Sequence, residues 1–303
     1  MANQNPLSTA TSAAGGAVVR PEVAETLLEG VFRSSGVLQQ LQAAGSVRRT
    51  NSKQTVFPLY KGRPVAYVVD EAAAITTTGA ELSDVTITAK KFATITSVTS
   101  EMLEDQNTGT ELMSLISADV DAAIGDLIEQ HILGLTAGAN LASALDFNIR
   151  TGVTTNSVTL GTTGDRLRVA TSAAIQKIRK AGYSPNGVTF CTDGEAELRD
   201  ARATVETTNP VYTDANSAFY GLNATTSNHL NDIAGASKIV GVVADWKQAQ
   251  MVLRNDLRLT VSNDATIGGV ENFTKDMQSY RWTLRAGLGS AFEKAFCVIK
   301  TPA

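Results

Sequence analysis

Ala93-Thr-Ile-Thr-Ser-Val-Thr-Ser-Glu-Met-Leu-Glu-Asp105 contains a change of period. Up to Thr99 apolar and polar residues alternate, the two-residue repeat of a half-buried strand. Beyond it Glu101, Glu104 and Asp105 read as a solvated helix start, and Thr108-Gly-Thr-Glu111 has the capping-box pattern. Leu112, Leu115, Ile116, Val120, Ala123, Ile124, Leu127, Ile128 and Leu135 then recur at three- and four-residue spacing. This predicts a central helix of about 25 residues, near 37 Å long at about 1.5 Å per residue. Asp119, Asp121, Asp126 and Glu129 are expected on its opposite face, where they would repel nucleic acid.

Upstream, Thr55 to Thr99 keeps the two-residue period. Phe57, Leu59, Val65, Tyr67 and Val69 share one face of a first strand, and Val85, Ile87, Ala89, Ala93 and Ile95 one face of a second. Glu71-Ala-Ala-Ala-Ile-Thr-Thr-Thr-Gly79 connects them, and Pro58, Gly62 and Pro64 place the first strand at an edge. Two such strands of about 15 residues would reach roughly 50 Å. A lone two-stranded ribbon is marginal in water, so it packs on the body of this chain or on a neighbouring subunit. Before it, Met1 to Val19 is a polar arm with too little apolar surface to repay its ordering alone. Pro21 opens a helix carrying Val23, Leu27, Leu28, Val31 and Phe32, with Gly36 as its stop.

Downstream, Asn140 to Gly164 reads as strands and turns. Asp165 or Thr163 caps a helix bearing Leu167, Ala170, Ala174, Ile178 and Ala181 that ends at Gly182. Val188-Thr-Phe-Cys191 and Lys238-Ile-Val-Gly-Val-Val243 are buried strands, and Asp193 caps a short helix running to Arg202. Leu257, Leu259 and Val261 alternate with Arg258, Thr260 and Ser262, and Tyr280, Trp282 and Leu284 with Arg281, Thr283 and Arg285: half-buried strands with a wet face. Ala295-Phe-Cys-Val-Ile299 closes the chain as a buried strand. The fold class is α+β.

The 303 residues carry 26 Lys and Arg against 30 Asp and Glu, a formal charge of -4. That balance argues against a dedicated nucleic-acid reader, whose affinity would rest on neutralising phosphates. No apolar run is long enough to span a membrane, and the amino end lacks the basic start and apolar run of a secretion signal. A soluble protein made in the cytoplasm is expected. Cys191 and Cys297 lie in apolar runs and read as buried structural thiols. His131 and His229 are far apart with no Cys, Asp or Glu at ligand spacing, so no metal site is expected. His131, late in the central helix, reads as structural. Arg48, Arg49 and Lys53 form a short basic cluster, as do Lys90 and Lys91, each read as a solvated face with an interface role open. No nucleophile elbow, P-loop or dinucleotide fingerprint occurs, so no catalytic residue, cofactor or metal is assigned.

Four stretches in this order resemble the major capsid proteins of tailed bacteriophages, the Hong Kong ninety-seven capsid fold. They are Ala93–Asp105 leading into the central helix; Leu167 to Arg202, with Ala181-Gly-Tyr-Ser-Pro-Asn-Gly-Val-Thr-Phe190; Ile239-Val-Gly-Val-Val-Ala-Asp-Trp-Lys-Gln-Ala-Gln250 through Arg254-Asn-Asp-Leu-Arg-Leu-Thr260; and Tyr280-Arg-Trp-Thr-Leu-Arg-Ala-Gly287 with Ala291-Phe and Ala295-Phe296. The resemblance covers nearly the whole chain from Arg20. It implies an amino-terminal arm over 1–28, a helix and connection over 29–54 and an extended β-hairpin loop over 55–99. It further implies a peripheral domain over 100–163 and 256–290, with a spine helix at about 110–135, and an axial domain over 164–255 and 291–303.

The resemblance implies a structural, non-enzymatic protein of the virion capsid, made in the host bacterial cytoplasm. Its partners would be itself, as pentamers and hexamers, and packaged double-stranded DNA held without sequence specificity. A separate scaffolding protein, a portal and decoration proteins would complete the particle, with no membrane involved. The loop would lie across a neighbouring subunit, which makes Lys61, Arg63, Tyr67, Glu71, Lys90 and Lys91 the expected interface residues. A fused scaffolding segment is not expected, because the polar arm appears at once. No partners are matched for the cross-link that some members form, so none is assigned. The rival readings are an encapsulin-type compartment shell, a monomeric binding module and a Cys-dependent hydrolase.

Overall fold

Tyr280, Trp282, Leu284, Ala286 and Leu288 bury one side of the strand Met277–Gly289, as their alternation requires. This computed structural model describes residues 31–32, 35–62, 66–71, 74–75, 79, 81–104, 109–137, 139–162, 165–200, 218–231, 233–254 and 257–303. The expected arm, most of the Pro21 helix, Thr108 of the capping box and Arg63 lie outside the described residues. Met277–Gly289 is the centre of a five-stranded sheet. It pairs antiparallel with Lys90–Thr99, with Arg258–Ser262 and with Gln250–Arg254, and Val47–Thr50 adds parallel to the last of these.

The second sheet has the order Ser157–Thr159, Phe296–Lys300, Ile239–Ala244, Gly187–Cys191, Leu222–Ser227 and Ala218–Phe219. Ile239–Ala244 and Gly187–Cys191 are buried at every residue, so both faces of the sheet are covered there. Helix Arg166–Lys180 lays Leu167, Ala170, Ala174 and Ile178 on it. The chain then turns at Gly182, whose φ of 87° a residue with a Cβ adopts poorly. Asp165 occupies the cap position of this helix, but its carboxylate pairs with Arg168 at 3.0 Å and does not bond the helix amides. The following short helix, Thr192–Asp200, holds Asp193 in its first turn.

Two expectations about the ends of elements are corrected. Gly36 does not stop a helix; it begins one, Gly36–Ala43, with the Ser35 hydroxyl accepting from the Leu38 amide at 3.1 Å. This helix is anchored by a buried amide, Gln40, which donates to the carbonyls of Asn223 (2.7 Å) and Val188 (3.3 Å). The second correction concerns the ribbon. Gln54–Gly62 pairs with Glu81–Thr88, but Lys90–Thr99 leaves it for the five-stranded sheet. At Ala89 the inward parity shifts by one residue. Ile87 and Ala89 are buried, then Phe92 and Val98, while Ala93 and Ile95 face out. The hairpin strands therefore extend about 30 Å at about 3.3 Å per residue, and residues 66–70 have no regular secondary structure.

The root of the hairpin is built into the body. The Thr88 amide donates to Asp146 Oδ2 at 2.6 Å, and the Ala89 amide donates to the Lys53 carbonyl at 2.9 Å. Ile87 is fully buried over two glycines of the long strand. A Cβ on Gly287 would lie 2.7 Å from the Thr88 carbonyl oxygen, and one on Gly289 2.5 Å from Ile87 Cγ1. Bare backbone at these two positions lets the hairpin cross the sheet at contact distance.

The central helix spans Gly109–Leu133. Val120, Ile124, Ile128 and Ile132 form its buried stripe and join one apolar cluster with Trp246, Trp282 and Phe296. The expected stripe pooled two faces. Leu115 is 63% exposed, Ala123 and Leu127 also face out, and Leu135 lies past the helix in a short strand. Because the buried residues repeat every four, their following neighbours turn inward with them. Asp121 and Glu129 are therefore buried, and Asp119 and Asp126 are the two acids of the expected set that remain on the outer face.

Candidate subunit interface

Beyond its root the hairpin carries large apolar side chains that stand exposed. Val68 is 98% exposed and Ile75 79%, and Val56 and Tyr67 are also exposed. Burying a side chain of this size is worth about 1.5–3 kcal/mol, so the loop holds a substantial driving force for association. Asp70, Glu71 and Asp84 are exposed on the same element.

The outward face of the five-stranded sheet is basic. Antiparallel pairing sets Arg285 opposite Lys91, Arg281 opposite Ile95 and Thr260, and Thr283 opposite Ala93 and Arg258. Residues two apart on each strand share a face, so the pairing collects these side chains on one surface. Lys91, Arg254, Arg258, Arg281 and Arg285, with Thr260 and Thr283, line a concavity there to which no carboxylate among the described residues contributes. Like charges held directly opposite one another destabilise a sheet. Such a face is complementary to an acidic partner surface.

Of the expected interface residues, Tyr67 and Glu71 are exposed on the hairpin, and Lys61 lies at the end of the strand Gln54–Gly62. Lys90 and Lys91 are exposed, but they belong to the five-stranded sheet and not to the loop. Arg254, Arg258, Arg281 and Arg285 were not among the expected set. The signal for Arg258, Arg281 and Arg285 was present as the wet positions of two alternating strands, but only strand pairing brings them together, and Arg254 had no such signal.

His131 and the two cysteines sit in packed positions away from this face. The His131 ring lies 5.8 Å from Phe92 and accepts the Ala144 amide at Nδ1 over 3.2 Å, and burial lowers its pKa. Cys191 and Cys297 are both buried; burial pushes the Cys297 thiol up to about 11, far from the thiolate a nucleophile needs. Cys191 Sγ lies 3.2 Å from the Gly194 amide that it caps.

Asp121 is the strained member of the central helix. Its Oδ1 has no hydrogen-bond partner among the described residues, and burial raises its pKa from 3.8 to about 7. The folded state thus holds this proton more tightly than the unfolded chain. The group's contribution to stability is complete below about pH 4 and is lost as the pH rises to about 7. One pH unit of displacement corresponds to about 1.4 kcal/mol, so the loss is at most about 4 kcal/mol. Asp121→Asn should raise the denaturant midpoint at pH 8 and flatten its fall between pH 5 and pH 8. Midpoints measured at the two pH values check this; an unchanged slope would mean that Asp121 is solvated.

Residues 15–301 match the sequence profile of the phage capsid family. The chain belongs to the phage capsid family. It is a structural major capsid protein, a component of the virion shell, as the order of segments in the sequence implied. Its fold is similar to that of a structure from Mycobacterium phage Ogopogo, with a TM-score of 0.67 and 21% identity over 89% of this chain and 91% of the other. A structure from Mycobacterium phage Adephagia gives a TM-score of 0.69 and 18% identity over 87% and 90%. The capsid of a native GTA particle gives a TM-score of 0.62 and 16% identity, and it spans 98% of this chain and 96% of that one. No curated protein sequence matches this chain.

Proposed function

We propose that this capsid protein forms pentamers and hexamers that close an icosahedral shell around double-stranded DNA, with the hairpin of one subunit clasping the basic sheet face of the next. The observation that carries this reading is the hairpin itself. Its root is fixed to the body through Ile87, Thr88 and Ala89, while Val68 and Ile75 stand in solvent. Asp70, Glu71 and Asp84 on the loop complement Arg254, Arg258, Arg281 and Arg285 on the sheet. Tyr67 and Lys61 act from the loop side of this contact, and Lys90 and Lys91 from the sheet side.

The hairpin serves as the family's extended loop, Gly109–Leu133 as the spine of the peripheral domain and the six-stranded sheet as the axial domain. DNA is enclosed without sequence-specific contacts, in keeping with the formal charge of -4. A separate scaffolding protein and a portal complete assembly, decoration proteins bind outside, and synthesis takes place in the host bacterial cytoplasm. The protein performs no catalysis; the buried thiols support that reading. Sedimentation velocity with negative-stain imaging tests the proposal, on the full chain alone and co-expressed with its scaffold. Five- and six-membered rings or closed shells enclosing nuclease-protected DNA are expected. A monomer under both conditions, or shells filled only with protein cargo, would contradict it.

A further inference from the structure

Sequence spacing offers no metal ligands, yet the fold brings three together. Asp126 and Glu129 are three residues apart on the central helix, and His229 lies in the turn after the strand Leu222–Ser227 of the six-stranded sheet. One ligand atom from each falls within 4.8 Å of the other two. His229 Nε2 is 3.5 Å from Asp126 Oδ1. Two donors each about 2.1 Å from a tetrahedral zinc ion stand about 3.4 Å apart, so the pair is already near the spacing that a shared ion imposes.

The third group is the buried one: the Ser227 and Ser35 hydroxyls hydrogen-bond the Glu129 carboxylate and His229 attracts it, yet one of its oxygens is left over. Glu129 is 2% exposed, and its Oε1 has no hydrogen-bond partner among the described residues. A buried carboxylate oxygen left unpaired is costly. This side chain, with Asp126 and His229, lines a concavity whose other walls include Gln39, Glu195 and Ser227. The Nδ1 atom of His229 is also buried, with no hydrogen-bond partner among the described residues. We propose that Asp126, Glu129 and His229 bind one divalent transition-metal cation of the zinc type. One imidazole and two carboxylates suit such an ion, whereas magnesium favours oxygen ligands and keeps its water. The ion would tie the central helix to the end of a strand in the six-stranded sheet, reinforcing the polar contacts of Glu129 with Ser227 and of Asp126 with His229.

Isothermal titration of the folded full-length chain with Zn²⁺ at pH 7.5, with Mg²⁺ as the comparison, tests this. One zinc per chain is expected, with affinity reduced at least about tenfold in Glu129→Gln and in His229→Gln. Asp126→Asn, whose carboxylate is half exposed and so disturbs folding least of the three, should weaken zinc similarly. The thermal midpoint of the wild type should rise with zinc concentration and return on chelation, as ligand binding to the folded state requires. Zinc uptake well below one per chain would overturn the proposal. Undiminished affinity in Asp126→Asn and Glu129→Gln would do so too, as would Mg²⁺ binding as tightly as Zn²⁺.

Discussion

Replacing residues 58–84 with a short Gly-Ser turn should abolish shell assembly and leave a folded subunit. The cut spares the root, where Ile87 is buried against Gly287 and Gly289 and the Thr88 amide reaches Asp146. It removes Tyr67, Val68 and Ile75, the exposed apolar residues to which the clasp assigns the loop's affinity for a neighbour. Losing even two such burials costs about 3–6 kcal/mol per contact, and each 1.4 kcal/mol is tenfold in an association constant. Every subunit would lose the same contact, so the assembled fraction should fall below detection. Circular dichroism and a cooperative unfolding transition establish that the body remains folded. Closed shells formed by the truncated chain would sink the clasp.

A double charge reversal, Arg258→Glu with Arg281→Glu, should be nearly as damaging by a different route. Both side chains are exposed on the outward sheet face, so their loss leaves the core intact. Each reversal replaces attraction to the acidic loop by repulsion, and like-charge juxtaposition across an interface costs several kcal/mol. Assembly should drop at least about a hundredfold at low salt, and less steeply as salt screens the contact. Adding Asp70→Lys and Glu71→Lys to the same chain should recover a large part of it, since the opposed charges are then swapped. Turbidity or light scattering across a salt series reads the effect. Failure of the swap to restore assembly, with both proteins folded, would place the loop elsewhere on the neighbour.

The parts of this fold that were legible in the sequence are those set by local pattern. Tyr280, Trp282 and Leu284 alternate strictly, and the strand they predict is present; the unbroken run Ile239-Val-Gly-Val-Val243 predicts a strand covered on both faces, and it is. Where two readings shared one pattern, sequence alone could not choose. Val85, Ile87, Ala89, Ala93 and Ile95 keep one parity interrupted only by Lys91, yet the chain changes sheets at Ala89, and Phe92 takes the inward place that Ala93 was expected to hold. On the central helix the pooled stripe hid the fact that Val120, Ile124, Ile128 and Ile132 carry the packing and draw Asp121 and Glu129 in with them. The basic sheet face and the approach of His229 to Asp126 depend on contacts between separate segments of the chain, such as Arg258 opposite Thr283, Lys91 opposite Arg285 and His229 beside Asp126. No local period encodes such contacts. The order of segments did carry the family, which the match over residues 15–301 bears out.

The measurement that bears most directly on the clasp is a disulfide cross-link between Glu71→Cys on the loop and Arg281→Cys on the sheet, formed in assembled particles under mild oxidation. Both native cysteines are buried and would not compete. A non-reducing gel should show a ladder of linked subunits rising to pentamers and hexamers, absent from each single-cysteine variant. Closed shells in which the two cysteines link only within one chain, or not at all, would contradict the account.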